Sequence, residues 1–339
     1  MHSRQSCIRT RTRRPLANFL RPLLAAALLF GCGSDEDTAN AADNNKSPET
    51  SRTIPNNCPA STAEPRKIGK VDSVELQELS GVVAGWSSPD VLWTHNDSGD
   101  SASLYGLAGE NSDSPARHFA TFSLRNIEAR DIEDIAIGPG PIPGKPYLYL
   151  GDIGDNSQKR SRIRIYRLPE PTLTTRTTKT IRTVATDSLI LVYPDRPHNA
   201  ETLLVDPLTG DIFIVTKSST EDAFLFRAPA PHDPNIPITL EALGPLGFGS
   251  RPELDNTGLV TGGDINSNGD AILLRTYSNA YFWPRSLGVD LATALNTTPC
   301  TVPLRFEPQG EAIGFTTEGN AYYTLSEQVA IVWRFDLEK

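Results

Sequence analysis

The chain has 339 residues, of which 38% are hydrophobic, with 27 prolines, 25 glycines and a formal net charge of −9. That is enough apolar material for a sizeable core. Beyond the leader there is no basic block, which excludes a nucleic acid polymer as partner, and no apolar stretch of the roughly 20 residues that a spanning helix needs.

Residues 1–31 carry six arginines, no acid and the apolar run LLAAALLF, the pattern of a signal peptide. Its ending, Leu29-Phe30-Gly31-Cys32, resembles a bacterial lipobox, so Cys32 is expected to be lipidated and to provide the only membrane attachment. The location expected from this is the bacterial cell envelope, periplasmic or at the outer membrane. Residues 32–66 are rich in Asn, Ser, Asp and Pro without hydrophobic period and read as a disordered tether. Without the leader arginines, 26 basic residues face 41 acidic ones, a net charge of −15.

The folded domain is expected over 67–339. There a unit recurs five times: a polar leader, a strand, a Gly or Asp turn, and a second strand. The copies start at Ser80 (SGVVAGW), Glu133 (EDIAIGP), Glu201 (ETLLVDP), Thr261 (TGGDINS) and Glu311 (EAIGFTT). Each continues into a third strand, and four into a fourth. The fifth copy lacks one, and KIGKVDSVEL at 67–76 is expected to supply it. The pattern predicts an all-β, five-bladed β-propeller closed by the N-terminal strand. A six-bladed propeller is the alternative, because the 68 residues from Glu133 to Glu201 could hide further strands.

Cys58 precedes the closing strand and Cys300 opens the outer strand of the fourth blade, so neighbouring blades are expected to pair them as a disulfide. Neither stands at zinc-site spacing from a histidine.

In a propeller the first strand of each blade lines the central channel. Ser80, Glu133, Glu201, Thr261 and Glu311 should then share one axis, and three carboxylates in a narrow space need raised pKa values or a cation. Hard oxygen donors suit Ca2+. This leader order resembles the calcium-activated apyrase (nucleotidase) family of five-bladed propellers, whose blades carry Ser, Glu, Glu, Ser, Glu around a central calcium. Phytase-like and SMP-30/paraoxonase-like propellers are similar more loosely. The apyrase resemblance implies hydrolysis of nucleoside di- and triphosphates. Gly81 departs from it, standing where the family has an acid after the serine.

Loops on the leader face are rich in chemistry-bearing groups, whereas the opposite turns are not. As water-orienting acids the expected set is Asp97, Asp131 and Asp155. For holding an anionic small molecule or phosphorylated substrate it is His95, Asn96, Arg130, Asp152, Asn156, His198, Lys217, Arg275, Tyr277 and Glu327. The function expected is a calcium-dependent hydrolase of phosphate anhydrides or esters. Its alternative is a non-catalytic, calcium-pinned binding module for a protein, glycan or small molecule. Asp264-Ile-Asn266-Ser-Asn268-Gly269 imitates an EF-hand start but has Arg275 where the twelfth-position Glu is needed.

Overall fold

A computed structural model describes residues 58–59 and 64–338, apart from 77, 98, 100–101, 126, 128, 174–179, 249, 252 and 255–257. The proposed leader, Cys32 and nearly all of the tether lie outside the described residues.

Alternation of apolar side chains over short, Gly- and Pro-bounded runs builds five antiparallel sheets. The first blade is formed by Leu79–Ala84, Val91–Asn96, Ser103–Ala108 and His118–Leu124. The second comprises Ile132–Pro139, Pro146–Asp152, Ile163–Pro169 and Asp187–Val192, and the third Ala200–Val205, Ile212–Thr216, Phe224–Ala228 and Glu241–Pro245. Val260–Ile265, Ala271–Thr276, Ala280–Pro284 and Cys300–Val302 make the fourth. In the fifth, Gly310–Phe315, Ala321–Ser326 and Ile331–Asp336 are joined by Arg66–Lys70, which pairs antiparallel with Ile331–Asp336. The chain is therefore a five-bladed β-propeller closed by its N-terminal strand.

Among the described residues, the long interval between Glu133 and Glu201 holds no sixth blade. The connection leaves the third strand of blade two and lays Thr180–Val184 parallel against His118–Leu124 at the edge of blade one. It then returns as the fourth strand of blade two. Ile238–Thr239 adds similarly to the edge of blade two. Pairing exposed edges in this way leaves fewer free backbone donors at the rim.

The inner strands are buried along their whole length in all five blades. Apolar clusters fill the wedges between neighbours, for example Val205, Ile214 and Phe226 of blade three against Ala136 and Tyr149 of blade two. Two fully buried carboxylates stitch blades near the axis. Asp134 accepts from Ile135 N (2.8 Å) and Leu203 N (2.9 Å), and Asp264 accepts from Ile265 N and Phe315 N (both 2.8 Å). Cys58 and Cys300 are bonded, with Cα atoms 5.5 Å apart, fixing the start of the described chain to blade four. The one helix among the described residues, Leu291–Leu295, is capped by Asp290.

Candidate functional site

Every inner strand carries the same irregularity near its start. The pairing register between first and second strands shifts between Leu79 and Val82, Ile132 and Asp134, Ala200 and Thr202, Val260 and Gly262, and Gly310 and Ala312. Each skipped segment contains a repeat leader: Ser80, Glu133, Glu201, Thr261 or Glu311. A β-bulge re-aims the extra residue out of the ladder, so five bulges in register turn five leaders together. All five are buried.

Contacts confirm that they meet. Ser80 Oγ donates to Glu133 O (2.7 Å) and to Glu311 Oε2 (3.3 Å), and Thr261 Oγ1 donates to Gly310 O (3.2 Å). Burial raises the Glu133 carboxyl well above its ordinary value, reinforced by Glu201, Asp97, Asp131 and Glu311. Burial likewise pushes Glu201 up to about 7 against the pull of Lys217. Glu311 goes up to about 8 through burial, then Glu201 and Glu327.

A second ring lies above the first, and only the sheet register reveals it. The residue that follows the end of each second strand is Asp97, Ile153, Lys217, Tyr277 or Glu327. On blade two, where that position is Ile153, Asp131 supplies the acid from the segment before the inner strand. One ligand oxygen from each of Asp97, Asp131 and Glu133 lies within 4.8 Å of the other two. Gly154 makes this approach possible: a Cβ there would fall 2.0 Å from Glu133 Oε1 and 2.4 Å from Asp131 Oδ2.

Across the mouth, Lys217 Nζ is hydrogen-bonded to Glu201 Oε2 and donates to Tyr277 OH (2.6 Å), which donates to Glu311 Oε1 (3.3 Å). Burial disfavours the ammonium, but Glu201 and Tyr277 more than compensate and keep it charged. One ammonium thus faces Asp97, Asp131, Glu133, Glu201, Glu311 and Glu327. The donor set is all hard oxygen, with six carboxyls converging on one ammonium, and could hold a divalent cation of calcium type.

Other expected residues are not at the mouth. Arg275 is fully buried: its Nη1 donates to Glu307 Oε2 (3.0 Å) and Ala312 O (2.9 Å), so it is a core ion pair and holds no substrate. Asp152 is equally buried, paired with Arg160 (2.7 Å) and accepting from Tyr166 OH (2.9 Å) and Asp131 N (3.2 Å). Arg160, not singled out by its sequence context, ties down this loop through Gly154 O and Asp152. Asp155 accepts from Arg160 N (2.7 Å), and its N–H donates to Asn199, which reaches Asn156 (3.3 Å). These three bond one another and Arg160 across the loop.

His198 is bonded to Asp195 (3.0 Å) inside an aromatic cluster with Tyr193 and Phe226. Asn96 secures the entering chain through Glu75 O (2.7 Å). His95 lies fully buried beneath, with Nδ1 on Asn96 O (2.9 Å). A Cβ on Gly81 would sit 2.6 Å from His95 Nε2 and 2.8 Å from Ile135 N, so an acid cannot occupy this position without displacing both. Arg130 is exposed next to Asp131.

On the opposite face a cavity of about 470 Å3 lies between the turns of blades four and five. Among its lining side chains, Asn266 bonds Asp270 and Asn320 bonds the neighbouring Thr316. The lining includes the turn resembling an EF-hand, whose Asn266 also accepts from Asp270 N (3.0 Å).

Fold and site together define the class as a five-bladed β-propeller with a paired-ring acidic mouth. No protein-family model matches the chain, and no curated protein matches it. Among solved structures, the crystal structure of the RRP9 WD40 repeats is similar at 10% identity, covering 83% of this chain and 99% of that one, with a TM-score of 0.41.

Proposed function

We propose that the propeller holds a calcium-type divalent cation at its mouth and hydrolyses phosphate anhydrides or esters there. The observation that carries this reading is the cluster of Asp97 and Asp131 with the axial Glu133, with Lys217 and Tyr277 on the far side. The resemblance of the leader order to the calcium-activated apyrases supports it. A bound cation would supply Lewis acidity at a phosphoryl oxygen. The chain's own contributions are positional: Lys217 and Tyr277 stand opposite the acids to orient an anion, and Asp97 or Asp131 accepts a proton from water.

A second reading, a calcium-pinned binding module, is favoured by one observation: with Arg275 in the core, the mouth keeps a single ammonium for an anionic substrate. Phosphate release from nucleotides, phytate and simple esters, measured with calcium and with chelator, decides between them. Calcium-dependent release establishes the hydrolase. Calcium binding with no release across the panel leaves the module. We also propose that lipidation at Cys32 places the domain in the cell envelope; mass spectrometry of the purified mature protein tests it.

A further inference from the structure

Lys217 stands one residue past the second strand of blade three, with its backbone N–H on Asn199 O (2.9 Å) in the segment that enters the same blade. An ammonium leaving the strand there has water on one side and the axial ring on the other. It takes the ring. The side chain is 13% exposed, and Nζ is bonded to Glu201 Oε2 and donates to Tyr277 OH (2.6 Å). The same nitrogen lies 4.8 Å from the centre of the Tyr277 ring.

Tyr277 extends the reach of the charge. Its hydroxyl, having accepted from Lys217, donates to Glu311 Oε1 (3.3 Å), and the other oxygen of Glu311 accepts from Ser80 Oγ (3.3 Å). Glu201 and Glu311 are thus tied to one cation borne by the chain itself, the first directly and the second through one hydroxyl. Glu133, the remaining axial carboxyl, belongs to a different group, with one oxygen within 4.8 Å of oxygens from Asp97 and Asp131. Arg160, the base whose field reaches Asp131, is committed to Asp152 (2.7 Å). The mouth is therefore divided between an ammonium half on blades three to five and a carboxyl half on blades one and two.

We propose that Lys217 is a tethered substitute for a metal ion on Glu201 and Glu311, and that it confines a divalent cation to Asp97, Asp131 and Glu133. A lysine ammonium is a compact point charge on a flexible stem, suited to such a place, and a buried carboxylate needs a paired cation whichever kind supplies it. With Lys217 seated, a cation brought against Glu201 meets the ammonium at close range and is repelled. The confinement rests on the cation reading above, whereas the part Lys217 plays on Glu201 does not. An anion at the mouth would then lie between two positive centres, one on each half.

Isothermal titration with calcium separates the two. Lys217→Met releases Glu201 and should raise calcium affinity at least about tenfold. Lys217→Met combined with Glu201→Gln removes the pair without changing the net charge, and should return the affinity to within about threefold of the wild-type chain. Melting curves in chelator report folding, and calcium should raise the midpoint of Lys217→Met further than that of the wild type. If Lys217→Met binds calcium while the wild type and the double variant bind none, the cation reading fails and the role of Lys217 stands. The inference is overturned if Lys217→Met gains no affinity. It is equally overturned if the double variant falls below that interval, because Glu201 is then a metal ligand in the wild-type chain. The double variant is electrically balanced, so it decides the question alone should Lys217→Met not fold.

Discussion

Six carboxylates and one ammonium share the mouth, and this imbalance sets how single substitutions act. Asp131 contributes one of three clustered oxygens and lies within reach of Glu133. Asp131→Asn keeps its size but removes a carboxylate from the proposed calcium site, so on that proposal calcium affinity should fall by about tenfold or more in isothermal titration, with the melting curve little changed. Arg275 behaves oppositely because its charge serves the core. Arg275→Met strands Glu307 in the interior and should cost about 3–5 kcal/mol in urea unfolding. Adding Glu307→Gln should recover much of that loss, while calcium affinity stays where it was. The sequence presents Arg275 and Lys217 alike, as bases in or just after a second strand. Their roles separate by two positions: Lys217 lies one residue beyond the strand end and faces the mouth, whereas Arg275 lies one residue inside it and bonds Ala312 O of the next blade. What separates them is whether the residue still belongs to the ladder or has left it for the loop, and sequence places a strand boundary no better than to a residue or two.

At the scale of elements, the five bulges explain why the leaders are recognisable without similarity between the blades. A leader that leaves the ladder must be polar and must be followed by a buried run, and both requirements are visible in each copy. The second ring was not visible as a ring. Its members Asp97, Lys217, Tyr277 and Glu327 stood out singly as polar loop residues, but Ile153 breaks the pattern and Asp131 enters from another segment. The closing strand raises a separate issue of stability. Arg66–Lys70 is short and has a register shift, and the Cys58–Cys300 bond fastens the segment just before it. The bond spans 242 positions of sequence. Cys58→Ser should therefore lower unfolding free energy by about 3–5 kcal/mol, and hydrogen exchange should rise first along Ile331–Asp336.

For the whole molecule, the buried acids predict a pH response. Glu201, Glu311 and Asp264 are pushed up to about 7, about 8 and about 7, each chiefly by burial. A carboxyl raised in the folded state stabilises the fold while protonated. That contribution is complete below the unfolded value near 4 and is lost as pH rises through the folded value. The metal-free protein should thus melt progressively lower between about pH 4.5 and 8 in scanning calorimetry, and calcium should flatten the slope by taking the place of the protons. A metal-free stability that rises across this interval would contradict the acidic mouth.

The repeat by itself pointed to five blades and to closure by the N-terminal strand, because buried strands write a short apolar pattern into every copy; the six-bladed alternative fell only when the structure showed the 133–201 interval used for edge strands. It also determined which residues lead each blade. Only the tertiary structure decided which charges are spent inside: Asp152 on Arg160 and Arg275 on Glu307. It also decided which charges remain together at the mouth. Partners such as Asp97 and Glu133 come from different blades, and their distances depend on bulges and register that sum around the whole ring. No local stretch of sequence contains that sum.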